Sequence, residues 1–97
     1  MRNVSQADID ELYSAILSLK DQREAKSFFR DLLTEGEIRE FAERWKVAAM
    51  IARKVPYRNI IDETGLSSRT VARVARWVHK GTGGYRLLLK RKGVLKD

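Results

Sequence analysis

Apolar residues recur along this chain at the three- and four-residue spacing of helices. No run alternates apolar and polar positions with β-branched enrichment, so no strand is predicted. Ser5 with Asp8 three residues on reads as a helix start, and Ile9, Leu12, Ile16 and Leu19 carry that helix over about residues 5–19. Asp21 is placed to cap a second helix bearing Ala25, Phe28, Phe29, Leu32 and Leu33. Thr34 and Glu37 form a capping-box pair for a third, in which Ile38, Phe41, Ala42, Trp45, Ala48, Ala49 and Ala52 continue to about residue 53. Pro56 suits the first turn of a short helix over about residues 56–64, with Ile60 and Ile61 inside and Gly65 at its end. Ser67 or Ser68 caps a helix over about residues 68–80, where Val71, Val74, Ala75 and Val78 share one face. Gly81-Thr82-Gly83-Gly84 breaks the chain, a short helix follows over about residues 85–92, and residues 93–97 are expected to fray.

The pattern predicts an all-α fold of about six helices in one domain of 97 residues. Its organisation falls into three parts: residues 1–53, mainly dimerisation helices; residues 56–80, a helix-turn-helix; residues 84–97, a basic helix and tail. Tyr13, Phe28, Phe29, Phe41 and Trp45 are much aromatic surface for so small a chain. Pairing with a second copy enlarges a shared core.

Charge sharpens this division. The chain carries +7 overall. Residues 1–43 hold six bases against ten acids, a net of −4, while residues 44–97 hold fourteen bases against three acids, a net of +11. A basic half beside an acidic one points to a polyanionic partner for one half only, with nucleic acid the first candidate.

Other chemistry finds little footing. There is no cysteine and a single histidine, so thiol catalysis, disulfides and Cys- or His-rich metal sites are excluded. His79 beside Lys80 reads as a surface residue at a helix end, and the glycine cluster lacks the Lys-Ser/Thr and strand of a phosphate-cradling loop. No enzyme activity, metal or cofactor is expected. No apolar run approaches the roughly 20 residues that span a bilayer, and the first residues lack the apolar core of a signal peptide. A cytoplasmic location without a membrane partner is therefore expected.

The stretch from Tyr57 to Val78 reads as a helix-turn-helix. Gly65 supplies the positive φ of the turn, and Ile60, Leu66, Val71 and Val74 stand at −5, +1, +6 and +9 from it, where they lock the two helices together. Ser67, Ser68, Arg69, Ala72, Arg73 and Arg76 then face outward, small groups beside guanidinium forks that suit guanine edges and phosphates. Ser67, Ser68, Arg69 and Thr70, at the start of the second helix, are candidates for base reading or phosphate capping, with Arg69 foremost. Arg73 and Arg76 lie further along, and Arg58 and Lys80 are placed for phosphate. Arg86, Lys90, Arg91 and Lys92 add nonspecific attraction. The alternative is a protein-interaction module using the same motif.

Leu32-Leu33-Thr34-Glu35-Gly36-Glu37, Arg44, Gly65 and Ser68-Arg69-Thr70-Val71-Ala72-Arg73 resemble the Trp repressor superfamily. The stretch from Ala25 to Thr34, with Arg44-Trp45, Arg76-Trp77 and Gly81-Thr82-Gly83-Gly84-Tyr85, is similar to its YerC/YecD-type branch. The resemblance spans roughly residues 7–89. It implies an intertwined homodimer whose two helix-turn-helix units face one palindromic operator, and regulation of transcription, of the repressor type, in a bacterium. Replication initiators share this superfamily fold, so the resemblance also leaves a replication-initiator-type DNA-binding unit, using the same motif, as an alternative. It also implies an effector pocket, whose family positions fall on Thr34, Arg44, Thr70 and Arg73. Two positions depart: a glycine of the family is Val74 here, and the serine that receives the ligand's amino group is Trp77. Both substitutions fill room and one removes a hydrogen-bonding group. Dependence on free tryptophan is therefore not expected, and Val74 or Trp77 is expected to take the space of a corepressor.

Overall fold

A computed structural model describes residues 3–96; Met1, Arg2 and Asp97 lie outside them. It contains six α-helices: α1 (Gln6–Leu17), α2 (Gln22–Leu32), α3 (Glu35–Ala52), α4 (Tyr57–Thr64), α5 (Ser68–Lys80) and α6 (Gly84–Arg91). No strand occurs among the described residues. The chain divides into two compact units between Ile38 and Arg39.

The first unit holds α1, α2 and the first turn of α3. Short polar side chains set its helix starts by satisfying amide groups that have no partner inside the helix. The Asp8 amide donates to Ser5 Oγ at 3.2 Å while the Ser5 amide donates to Asp8 Oδ2 at 3.0 Å. Asp21 Oδ1 accepts from the Glu24 amide at 2.9 Å, and Thr34 and Glu37 close a reciprocal box at 3.1 and 2.8 Å. The first helix stops at Leu17, two residues short of the expected Leu19, and at its end the Ser18 hydroxyl donates back to the Ala15 carbonyl at 2.7 Å. Phe28 and Phe29 meet edge to face at 5.5 Å. No residue of α1 or α2 is buried within one chain.

The second unit contains the buried core of the described residues. Val47, Ala48, Met50 and Ile51 of α3 join Ile60, Val71, Val74, Ala75, Val78 and Leu89. At the end of α3 the Lys54 and Val55 amides donate to the carbonyls of Ile51 and Met50, which turns the chain and seats Val55 against this core. Pro56 precedes α4 instead of lying in its first turn. Its ψ of 143° is extended, and its carbonyl accepts the first helical bond from Ile60 at 3.1 Å. The last helix runs from Gly84 to Arg91, one residue earlier than expected.

The expected fraying of residues 93–97 is corrected for the described part of that stretch. Gly93 takes a φ of 75°, and the Val94 and Leu95 amides donate to the Leu89 carbonyl at 2.8 and 3.1 Å. Val94 and Leu95 thereby pack half-buried against the core around Leu89. Two late apolar residues and a glycine close the helix, where charge density alone reads as a loose tail.

Candidate nucleic-acid interface

The helix-turn-helix is built from α4, the turn at Gly65 and α5. The Thr64 hydroxyl donates to the Ile60 carbonyl and accepts from the Leu66 amide, while Gly65 turns at φ 73°. Ser67, not Ser68, caps α5: its Oγ accepts from the Thr70 amide at 3.2 Å and lies 3.0 Å from the Thr70 hydroxyl. Ile60 and Val71 are fully buried, Val74 is 5% exposed and Leu66 is half-buried, so the apolar set at the turn packs as its spacing requires.

That packing fixes what α5 presents outward. Ser67, Ser68, Arg69, Ala72, Arg73, Arg76 and Lys80 are exposed. Arg69, Ala72, Arg73, Arg76, Trp77 and Lys80 line one surface depression, so four cations at helical spacing surround a small alanine. Thr70 is half-buried, its hydroxyl held at the Ser67 cap. Arg58 is exposed on α4.

A cleft of about 550 Å³ lies on the other flank of α5. Arg44, Thr70 and Arg73 line it together with Val74 and Trp77. Thr34 is not in its lining; it caps α3 within the first unit. Three further lining residues escaped sequence reasoning: Glu40, Glu43 and Tyr85. Glu40 accepts from Arg44 at 3.0 Å, and the Arg44 guanidinium carbon stands 5.6 Å from the centre of the Phe41 ring. The i, i+4 spacing of Glu40 and Arg44 was the signal for that pair. Tyr85 stacks on Trp45 at 6.4 Å, a contact between α3 and α6 that no local spacing reveals.

Beside it, Trp45, Trp77, Gly81, Thr82, Gly84, Tyr85, Leu87 and Leu88 line a mostly apolar groove of about 560 Å³. Trp77 thus borders the basic face, the cleft and the groove, and it is 55% exposed. Among the described residues no group of His, Cys, Asp and Glu is assembled for a metal ion, and no helix is long and apolar enough to cross a membrane.

The profile of the Trp repressor protein family matches residues 7–93. The chain is 42% identical over 84 residues to the YerC protein of Bacillus subtilis (strain 168), covering 87% of this chain and 81% of that one. A solved TrpR-like protein from Eubacterium eligens superposes with a TM-score of 0.85 at 40% identity, covering 96% of this chain and 95% of its own. A solved structure from Staphylococcus aureus gives 0.85 at 37% identity, covering 94% and 91%.

Proposed function

The chain belongs to the Trp repressor protein family, a fold of DNA-binding regulators, and from that premise we propose that it is a sequence-specific regulator of transcription of the repressor type. It acts as a homodimer that places α5 of each copy in the major groove of double-stranded DNA. The observation that carries this reading is the two-sidedness of α5. Val71, Val74, Ala75 and Val78 lock one side into the core, while Arg69, Arg73, Arg76 and Lys80 stand on the open side around Ala72.

Roles follow from position. Ser67, Ser68, Arg69 and Thr70 lie at the start of α5, the end that approaches base edges in this docking mode. Arg69 reads a base, Ser67 and Thr70 hold the helix start, and Ser68 meets bases or phosphate. Ala72 allows close approach, and Arg73 and Arg76 contact bases or backbone. Arg58 and Lys80 meet phosphates.

Dimerisation is supported by the apolar surface that one chain leaves open. Leu12, Tyr13 and Leu17 of α1 and Leu32 of α2 are exposed, as are Leu87 and Leu88 beside the groove. A two-fold dimer favours a palindromic site with half-sites about one helical turn apart.

DNA binding by this chain does not need free tryptophan. Val74 and Trp77 already stand in the cleft, and Arg44 is engaged by Glu40. Thr34, Arg44, Thr70 and Arg73 serve packing, capping and DNA contact instead of a ligand.

A gel shift titrated with salt, comparing genomic fragments with random duplexes, tests the reading. Preferential binding to a subset of fragments, falling steeply with salt, supports it. Absence of binding to any duplex at low salt contradicts it and favours a protein-interaction module.

A further inference from the structure

Four backbone positions among the described residues have a positive φ, and glycine fills three: Gly65, Gly83 and Gly93. The fourth is Lys54, at φ 64°. An L side chain is disfavoured there because its Cβ crowds the carbonyl oxygen, a clash that glycine avoids. The conformation itself is required. The Lys54 amide donates to the Ile51 carbonyl at 2.9 Å and the Val55 amide to the Met50 carbonyl at 3.0 Å, which closes α3 and sends Val55 into the core. So the backbone favours glycine at a position where the chain carries lysine.

Lysine brings the turn no local benefit. Asparagine and aspartate tolerate this region because a side-chain oxygen bonds to nearby backbone, and lysine has no such oxygen. The residue is exposed, and no carboxylate partner engages its ammonium among the described residues. Arg53 precedes it, Arg58 follows, and no acid lies between them. What Lys54 adds is therefore a cation on a flexible stem, three residues ahead of α4. In helix-turn-helix docking the first helix of the motif crosses the phosphate backbone, so the segment entering it runs beside the same strand.

We propose that Lys54 is a phosphate-contacting residue, held at a left-handed position against the preference of the backbone because it delivers charge to the DNA strand met by α4. The proposal rests on the DNA-binding reading and extends it to the α3–α4 corner. It has a two-signed consequence: the substitution that relaxes the fold weakens the binding.

The test compares the full-length wild type with Lys54→Gly, Lys54→Gln and Lys54→Arg, by thermal unfolding and by salt-titrated binding to a duplex of random sequence. Lys54→Gly is expected to melt about 2–5 °C higher. It is expected to bind roughly three- to tenfold more weakly, with a salt slope shallower by about 0.9 for each phosphate no longer neutralised. Lys54→Gln, which keeps the backbone requirement and removes the charge, melts like wild type and binds as weakly as Lys54→Gly, while Lys54→Arg retains affinity. Wild-type affinity and slope in Lys54→Gly and Lys54→Gln overturn this inference alone. Weakened binding without a higher melting temperature in Lys54→Gly overturns the claim that strain is retained for function. A wild type that binds no duplex at low salt overturns the DNA-binding reading and this inference with it.

Discussion

Gly81 lies so close to Trp77 that a Cβ added to it would collide with the Trp77 carbonyl oxygen and stand 3.1 Å from Cε3 of the indole. The Gly81 amide donates to that same carbonyl at 3.0 Å, so the two residues end α5 together. Trp77 is the wall shared by the basic face, the cleft and the apolar groove. Glycine at 81 therefore fixes both the end of the recognition helix and the seat of its tryptophan.

Gly81→Ala is expected to destabilise the fold by about 1–3 kcal/mol, because the obstacle is backbone and cannot swing aside. Chemical denaturation measures the loss. Tryptophan emission, the sum of Trp45 and Trp77, should shift as the seat of Trp77 changes; unchanged stability and emission would show that the clash relaxes freely.

Ile60 is fully buried where α4 meets α5 and α3. Ile60→Ala should cost about 2–5 kcal/mol through reduced burial and the cavity left behind. Equilibrium unfolding in urea reads this directly.

Arg69→Ala should relax sequence preference, losing about 1–3 kcal/mol of discrimination at one base pair while binding to random DNA falls much less. Lys80→Ala should weaken all sequences alike and make the salt slope shallower. Competition binding on a preferred and a scrambled duplex separates the two. Equal losses on both duplexes for Arg69→Ala would remove its assignment as a base reader.

Added tryptophan should leave DNA affinity unchanged and give no micromolar heat of binding in calorimetry. Saturable binding, or a DNA affinity that depends on the amino acid, would show that the cleft beside Val74 and Trp77 admits a ligand.

The caps carried most of what the amino-acid order revealed. Ser5, Asp21, Thr34 and Ser67 start helices because each places an oxygen against an amide three residues on, a relation internal to the sequence. The apolar set around Gly65 was legible for the same reason. What stayed hidden depends on contacts between distant residues. Tyr85 on Trp45 joins positions forty residues apart. Leu89 holds Val94 and Leu95 in place although the surrounding charge suggests a loose end. The cleft carboxylates Glu40 and Glu43 showed their spacing on α3 but not that α5 and α6 close over the same space. Lys54 gave no signal, since glycine is the residue that announces a left-handed position.

Base reading by α5 within a two-fold dimer is the central proposal. Selection of bound duplexes from a random pool, with the full-length protein, puts it to the test. The expected result is enrichment of a palindrome with half-sites about one helical turn apart, and disappearance of that enrichment with Arg69→Ala. A pool that stays random after repeated selection, despite binding, would refute it.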